Sequence, residues 1–230
     1  PLPVALVQGN VPLELKWQPA YRGAILERYR SLSEQAGDAR LIVWPEAAIP
    51  ARLDEIDPDY LVDLKQRNAD FLIGVIERDE ATRQHYNSVI SLGRGAGLYR
   101  KQHLVPFGEF LPFPALFRWL LDSLRIPMSD FSSGPADQPP LTAAGQKIGV
   151  SVCYEDAFGE EIIRALPQAT LLVNVSEDAW FGDSLAPHQR IQMARLRALE
   201  SGRPMLRAAN TGPSVVIRHD GEVIARSPQF

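Results

Sequence analysis

Three side chains have the chemistry of a nucleophile, a base and a cation, and each stands where an apolar run gives way to a turn. Cys153, the sole cysteine, closes Gly149-Val150-Ser151-Val152-Cys153 and leads into Tyr154-Glu155-Asp156. Glu46 follows Leu41-Ile42-Val43-Trp44-Pro45, and Lys101 follows Leu98-Tyr99-Arg100. A free cysteine is most often a small, inert, buried hydrophobe. To attack a carbonyl, its thiol needs a base within hydrogen-bond reach and a donor for the oxyanion that forms. Glu46 lies between Pro45 and Ala47-Ala48-Ile49, and apolar surroundings of that kind raise a carboxyl pKa toward the range of a general base; the bland alternative is a solvated loop carboxylate. Lys101, beside Tyr99, Arg100 and His103, reads on its neighbours alone equally as a surface lysine. Glu109, between Gly108 and Phe110, is a second site carboxylate or a rim residue.

The elements that must carry these residues follow from apolar periodicity. Strands are expected at Pro3–Gln8, Leu41–Trp44, Phe71–Ile76, Ile148–Cys153, Thr170–Val175, Met205–Ala208, Ser214–Arg218 and Glu222–Arg226. Ser88–Leu92 and Leu98–Lys101 read as a hairpin turning on Gly93–Gly97. Helices are expected at Tyr21–Ala36, Asp59–Asn68, Gly159–Leu166 and Gln189–Ser201, the last closed by Gly202. Alternation along the strand places Gly149, Ser151 and Cys153 on one face and Ile148, Val150 and Val152 on the other. Strands alternating with helices, ending in hairpins, argue for a layered α/β fold with a mixed sheet, and two sheets back to back would explain strands that are apolar on both faces. Three reactive side chains at three strand ends is the pattern of a site built on one rim of a sheet. Pro135–Pro140 reads as a connector.

A chain of 230 residues with 45% hydrophobic content can form one α/β domain with a continuous core. The net charge of −4 and the lack of a long basic block give no reason to expect nucleic acid. No apolar run is long enough to span a membrane. His85, His103, His188 and His219 show no metal-ligand spacing, so no metal is expected. Neither a Gly-x-Ser-x-Gly elbow nor a phosphate or dinucleotide glycine pattern is present. Arg190, Arg195, Arg197, Arg203 and Arg207 read as the solvated face of a helix, with a weak role on lipid headgroups as the alternative.

Taken in chain order, Trp44-Pro45-Glu46, Tyr99-Arg100-Lys101 and Cys153-Tyr154-Glu155-Asp156 resemble the Glu-Lys-Cys triad of the nitrilase (carbon-nitrogen hydrolase) superfamily. Within it the chain is similar to the apolipoprotein N-acyltransferases, through Gln8-Gly9-Asn10, Lys101 to Glu109, Asn174-Val175-Ser176, Asp178 to Gly182 and Asn210-Thr211-Gly212. The likeness runs from Val4 to Arg226. It implies an α/β nitrilase-like four-layer αββα sandwich with two mixed sheets and no cofactor. By resemblance Glu46 is the base, Lys101 the oxyanion donor together with the Tyr154 N–H, and Cys153 the nucleophile. Glu109, Tyr154 and Glu155 shape the pocket, and Trp17 contacts substrate. The implied reaction moves an acyl chain from a membrane phospholipid, through a cysteine thioester, to the α-amine of a diacylglyceryl apolipoprotein. The implied location is the bacterial inner membrane, with the catalytic domain on its periplasmic side.

On this reading residues 1–230 are a single domain, a piece lacking the family's N-terminal and C-terminal membrane helices and the last part of the domain. Glu177 stands where the resemblance leads one to expect a small polar residue. The proline- and aromatic-rich stretch 105–127, with Phe113 and Trp119, is either a lid facing the bilayer or a loop packed over the core. A soluble nitrilase-type amidase acting on a small amide or nitrile would use the same triad without such a lid. A non-catalytic binding domain would have no reactive thiol.

Overall fold

The computed structural model describes residues 1–110 and 131–230. Most of the 105–127 stretch, Phe113 and Trp119 included, lies outside them. Among the described residues the strands form two sheets. The first has five strands in the order β1 (Val4–Leu6), β2 (Leu41–Val43), β3 (Asp70–Arg78), β4 (His85–Leu92) and β5 (Leu98–Arg100). β1, β2 and β3 run parallel, and β3, β4 and β5 antiparallel. The second has six: β6 (Leu141–Ala143), β7 (Gln146–Val152), β8 (Leu171–Ser176), β9 (Met205–Ala209), β10 (Val215–Ile217) and β11 (Val223–Arg226), in that spatial order. Here β7, β8 and β9 are parallel and the outer pairings antiparallel, so both sheets are mixed.

The period of two along each strand explains the layering. Leu41, Val43 and Leu72 of the first sheet meet Ile148, Val152, Val173, Val175 and Leu206 of the second in one buried cluster. The opposite face of the first sheet, with Ile42, Phe71, Ile73 and Val75, packs on Ile25 and Tyr29 of α2 (Arg22–Glu34) and Tyr60 and Leu64 of α3 (Pro58–Lys65). Leu172, Met205 and Val215 turn the other way, onto Ile162 of α4 (Gly159–Ile162) and Ile191, Ala194 and Ala198 of α5 (Ala186–Ser201). The order is therefore helix, sheet, sheet, helix, the expected four-layer sandwich.

The strand β6 was not expected from the sequence. It pairs with β7 across Ala144-Gly145, both with positive φ (50° and 76°), the conformation a two-residue hairpin turn requires. Ahead of α2 lies a one-turn helix, α1 (Leu13–Lys16), which holds Lys16 in the interior. The helix expected at Gly159–Leu166 is α-helical only to Ile162 and tightens into a 3-10 turn over Ile163–Ala165.

Candidate active site

Glu46, Lys101 and Glu109 converge in one buried cluster. Past β2 the chain leaves the sheet at Pro45 and turns back over Gly74 of β3, where Ala48 N–H donates to the Gly74 carbonyl at 2.9 Å. A Cβ at Gly74 would run into the Pro45 carbonyl, Glu46 Cα and Ala47 N, so glycine is required for this close approach. Ala47 has φ +44°, which places backbone strain next to Glu46. Lys101 directly follows β5 and is still tied to the sheet by its N–H on the Asn87 carbonyl at 2.8 Å. Its Nζ lies 3.8 Å from Glu46 Oε1 and 2.7 Å from Glu109 Oε2. Glu109 sits on a tight turn whose Val105 N–H donates to its Oε2 at 2.9 Å. Asn87 of β4 joins the two carboxylates, its Nδ2 donating to Glu46 Oε1 at 2.7 Å and Glu109 Oε1 at 2.9 Å.

Cys153 departs from the strand alternation. β7 ends at Val152, and Cys153 begins a 3-10 turn over Cys153–Ala157 with φ +49°, so its side chain no longer shares a face with Gly149 and Ser151. A β-branched strand feeding a left-handed residue is a sharp corner that lifts the thiol off the sheet. The corner is pinned by Asn174 of β8, whose Nδ2 donates to the Cys153 carbonyl at 3.1 Å. Glu155 braces it from behind. Its Oε2 accepts from Val152 N–H (2.7 Å) and Tyr99 OH (3.0 Å), and its Oε1 from the N–H groups of Gln102 (2.7 Å) and His103 (3.0 Å). Glu155 thus ties the cysteine turn to the segment carrying Lys101. Tyr154 is exposed and packs edge-on against His103 and Phe158.

The electrostatics suit acyl transfer to sulfur. Burial pushes the Glu46 carboxyl above the ordinary carboxylate range; Lys101 and Asn87 pull it back, while Glu109 and Glu177 push with burial. Burial pulls the Lys101 pKa down, but Glu46, Cys153 and Glu109 outweigh it and hold the ammonium charged. Burial and the Glu46 charge push the Cys153 thiol up to about 11, against the pull of Lys101, Arg190 and a Ser176 hydrogen bond. The fields of Glu46 and Lys101 both reach the sulfur. At neutral pH the thiol keeps its proton until a base takes it, and a protonated ammonium stands ready for negative charge. A cleft of about 330 Å³ is lined by Trp17, Pro50, Ala51, Ile76 and Phe131, with Arg22, Arg52, Glu55 and His85 also on its walls. Glu46, Lys101 and Cys153 do not line it, and it meets the cluster through Phe131, whose N–H donates to the Glu109 carbonyl at 3.0 Å. Among the described residues no group of three or more His, Cys, Asp or Glu side chains could hold a metal ion.

The carbon-nitrogen hydrolase family model matches residues 3–230. The chain belongs to the carbon-nitrogen hydrolase family. Among solved carbon-nitrogen hydrolase structures, that from Helicobacter pylori covers 99% of this chain and is covered over 85% of its own, with TM-score 0.73 at 18% identity. An amidase from Nesterenkonia sp. matches over 99% of this chain and 86% of its own, with TM-score 0.65 at 18% identity. At such identities the likeness is one of fold. Nearer in sequence are the proteins named apolipoprotein N-acyltransferase of Nitrosomonas europaea, 48% identical, and Methylococcus capsulatus, 45% identical, each matched over the whole of this chain. The chain spans about half the length of these curated relatives, 47% and 46%.

Several residues that shape this candidate site of the carbon-nitrogen hydrolase chain carry no local signal. Asn87 sits opposite Ile76 in the β3–β4 register, inside an ordinary strand. Lys16, on the one-turn helix α1, is 2% exposed. Two arginines assigned to a solvated helix face are in fact interior. Arg190 pairs with the buried Asp156 at 2.8 Å, and Arg207, on β9 and not on a helix, pairs with the buried Asp178 at 2.9 Å. Both lie next to the cysteine corner, where an unpaired carboxylate would be costly.

Proposed function

We propose that this chain carries out thiol-mediated N-acyl transfer, taking an acyl group from a phospholipid and passing it to the α-amine of a diacylglyceryl apolipoprotein. The observation that carries this reading over amide hydrolysis is its 43–48% identity, across the full chain, to relatives named apolipoprotein N-acyltransferase. The geometry supports the steps.

Glu46 takes the Cys153 proton as the sulfur attacks the ester carbonyl. Lys101, with the Tyr154 N–H, faces the oxyanion, a donor typically worth ~3 kcal/mol of barrier. The C–O bond breaks, Glu46 returns the proton to the departing lysophospholipid alkoxide, and a Cys153 thioester remains. The acceptor amine then attacks the thioester and gives its proton to Glu46. The C–S bond breaks and the thiolate is reprotonated by Glu46, leaving the amide. Glu109 and Asn87 keep Lys101 and Glu46 in register, and Glu155 holds the cysteine corner against the Lys101 segment. Trp17 and the cleft beside it receive substrate.

The site acts at the bacterial inner membrane, on its periplasmic side. No helix among the described residues is long and apolar enough to cross a membrane. Incubating the full-length protein with phospholipid vesicles and mapping the product by mass spectrometry tests the reading. A long-chain acyl group on Cys153, discharged by a diacylglyceryl peptide, is the expected result. An unmodified Cys153 in a protein that turns over small amides without lipid would replace it with the amidase.

A further inference from the structure

Behind Glu46, on the side away from Lys101, lies a buried ion pair that the steps above do not use. Lys16 Nζ is 2.6 Å from Glu177 Oε2 and donates to the main-chain carbonyl of Glu46 at 3.1 Å. The Glu177 N–H donates to Glu46 Oε2 at 2.8 Å. Glu46 is therefore held at both ends, its carbonyl by the Lys16 ammonium and its carboxylate by the Glu177 backbone, at the corner where Ala47 is strained.

The pair is itself fixed. Asn210 Nδ2 donates to both Glu177 oxygens, at 3.2 and 3.0 Å, and to the Val11 carbonyl at 2.8 Å, which locks the segment leading to Lys16 onto the Glu177 loop. Lys16, Glu177 and Asn210 are all at least 95% buried, with exposures of 2%, 5% and 0%. A buried ion pair is weak evidence of stabilisation, because apolar residues of similar volume often do as well. A carboxylate buried against a second carboxylate's backbone anchor is better explained by what it does to that neighbour.

We propose that Lys16 and Glu177 are positioning residues: their ion pair fixes the corner at Glu46 and sets the field in which the Glu46 carboxylate takes up a proton. The proposal rests on the reading of Glu46 as the base for Cys153. The groups facing Glu46 are Lys101 and Glu109 on one side, Lys16 and Glu177 on the other, the Cys153 thiol, and neutral Asn87. The Glu177 charge disfavours a second anion at Glu46 and raises its proton affinity, and Lys16 opposes that push. Removing one partner leaves the other's field uncompensated, so the two deletions act with opposite sign.

The test reads Glu46 without lipid, as the pH dependence of Cys153 alkylation by iodoacetamide in the full-length protein. The wild-type rate falls on the acid side as Glu46 is protonated. Glu177→Gln moves that acid limb to lower pH and Lys16→Met to higher pH, each by about one unit. The Lys16→Met/Glu177→Gln double variant returns it close to wild type, and Lys16→Arg leaves it in place. A purely structural pair would lower the melting temperature in both single variants with the limb unmoved. That result overturns the proposal, as does a shift of the same sign in both. If Lys16→Met does not fold, Glu177→Gln still decides, a downward shift supporting the proposal and an unmoved limb refuting it. A wild-type profile with no acid limb refutes Glu46 as the base and the proposal with it, whereas a wild-type limb that neither variant moves refutes the positioning role alone.

Discussion

Two effects of Glu46 on Cys153 have opposite signs, and that separates a base from a bystander. Its negative charge is among the causes that push the thiol up to about 11, so by electrostatics alone Glu46→Gln would lower that pKa and speed alkylation near neutral pH. If Glu46 instead removes the proton, the same substitution slows alkylation, by ~10²-fold or more. We expect the slower rate, measured with iodoacetamide at constant pH and with the fold checked by circular dichroism; a faster rate would leave Glu46 as a mere charge. Glu46, Lys101 and Cys153 could be singled out in the sequence because each sits at a break in an apolar run, whereas Glu109, between Gly108 and Phe110, read equally as a rim residue. Asn87 could not, since it is a polar residue midway along β4 and its role arises from the register that sets it opposite Ile76. Lys16 and Glu177 meet across 161 positions of chain, a distance over which no spacing argument operates.

Strand ends deliver the reactive groups, and the packing between strands decides how well they are aimed. β3 lies beneath the Glu46 corner with a glycine at the point of contact, where even one methyl group would meet backbone atoms of Pro45, Glu46 and Ala47. Gly74→Ala is expected to destabilise the protein by about 1–3 kcal/mol through overpacking. It should also cut Cys153 acylation by roughly 100-fold, the scale of loss from an ångström of misplacement. Parallel chemical melts and acylation assays check both, and full activity in a destabilised variant would show that the corner tolerates the shift. Most strands and helices were legible from periodicity, with ends differing by a few residues. The cysteine corner was not, because alternation assumes extended backbone and Cys153 at φ +49° leaves it.

The two sheets are stitched together at the start of β3 as well as by their shared core. Asp70 accepts from Arg94 N–H of the first sheet's hairpin at 2.7 Å and from Ala144 N–H of the second sheet's hairpin at 2.6 Å. Nearby, Ala96 and Thr142 exchange backbone hydrogen bonds at 3.1 Å in each direction. Asp70→Ala leaves two donors without an acceptor, at about 1–3 kcal/mol each. It should lower the melting temperature while Cys153 alkylation by the folded protein keeps its rate; a changed rate would mean that the stitch also shapes the site. A second expectation concerns pH. Burial raises the carboxyls of Glu46 and Asp156, and takes Glu155 from an ordinary 4.5 to about 7 although four donors point at it. Between those values the folded chain binds more protons than the unfolded one, so this contribution to stability is fully present below 4.5 and is lost as pH rises to about 7. Asp79 and Asp220, lowered to about 2 from 3.8, act in the opposite sense only below that interval. Thermal melts should therefore show the melting temperature falling from pH 4.5 to pH 7, and a rise across that interval would contradict it.

Apolar periodicity and the order of three short motifs were enough to indicate the layered α/β architecture and the family, and to single out Glu46, Lys101 and Cys153 as candidates, because those properties are written in neighbouring residues. Which lysines and arginines are interior, how Cys153 leaves its strand, and which groups grip Glu46 were set by folding. They depend on strand register and on contacts between distant segments, and a buried charge looks the same in a sequence as a solvated one until its partner is found.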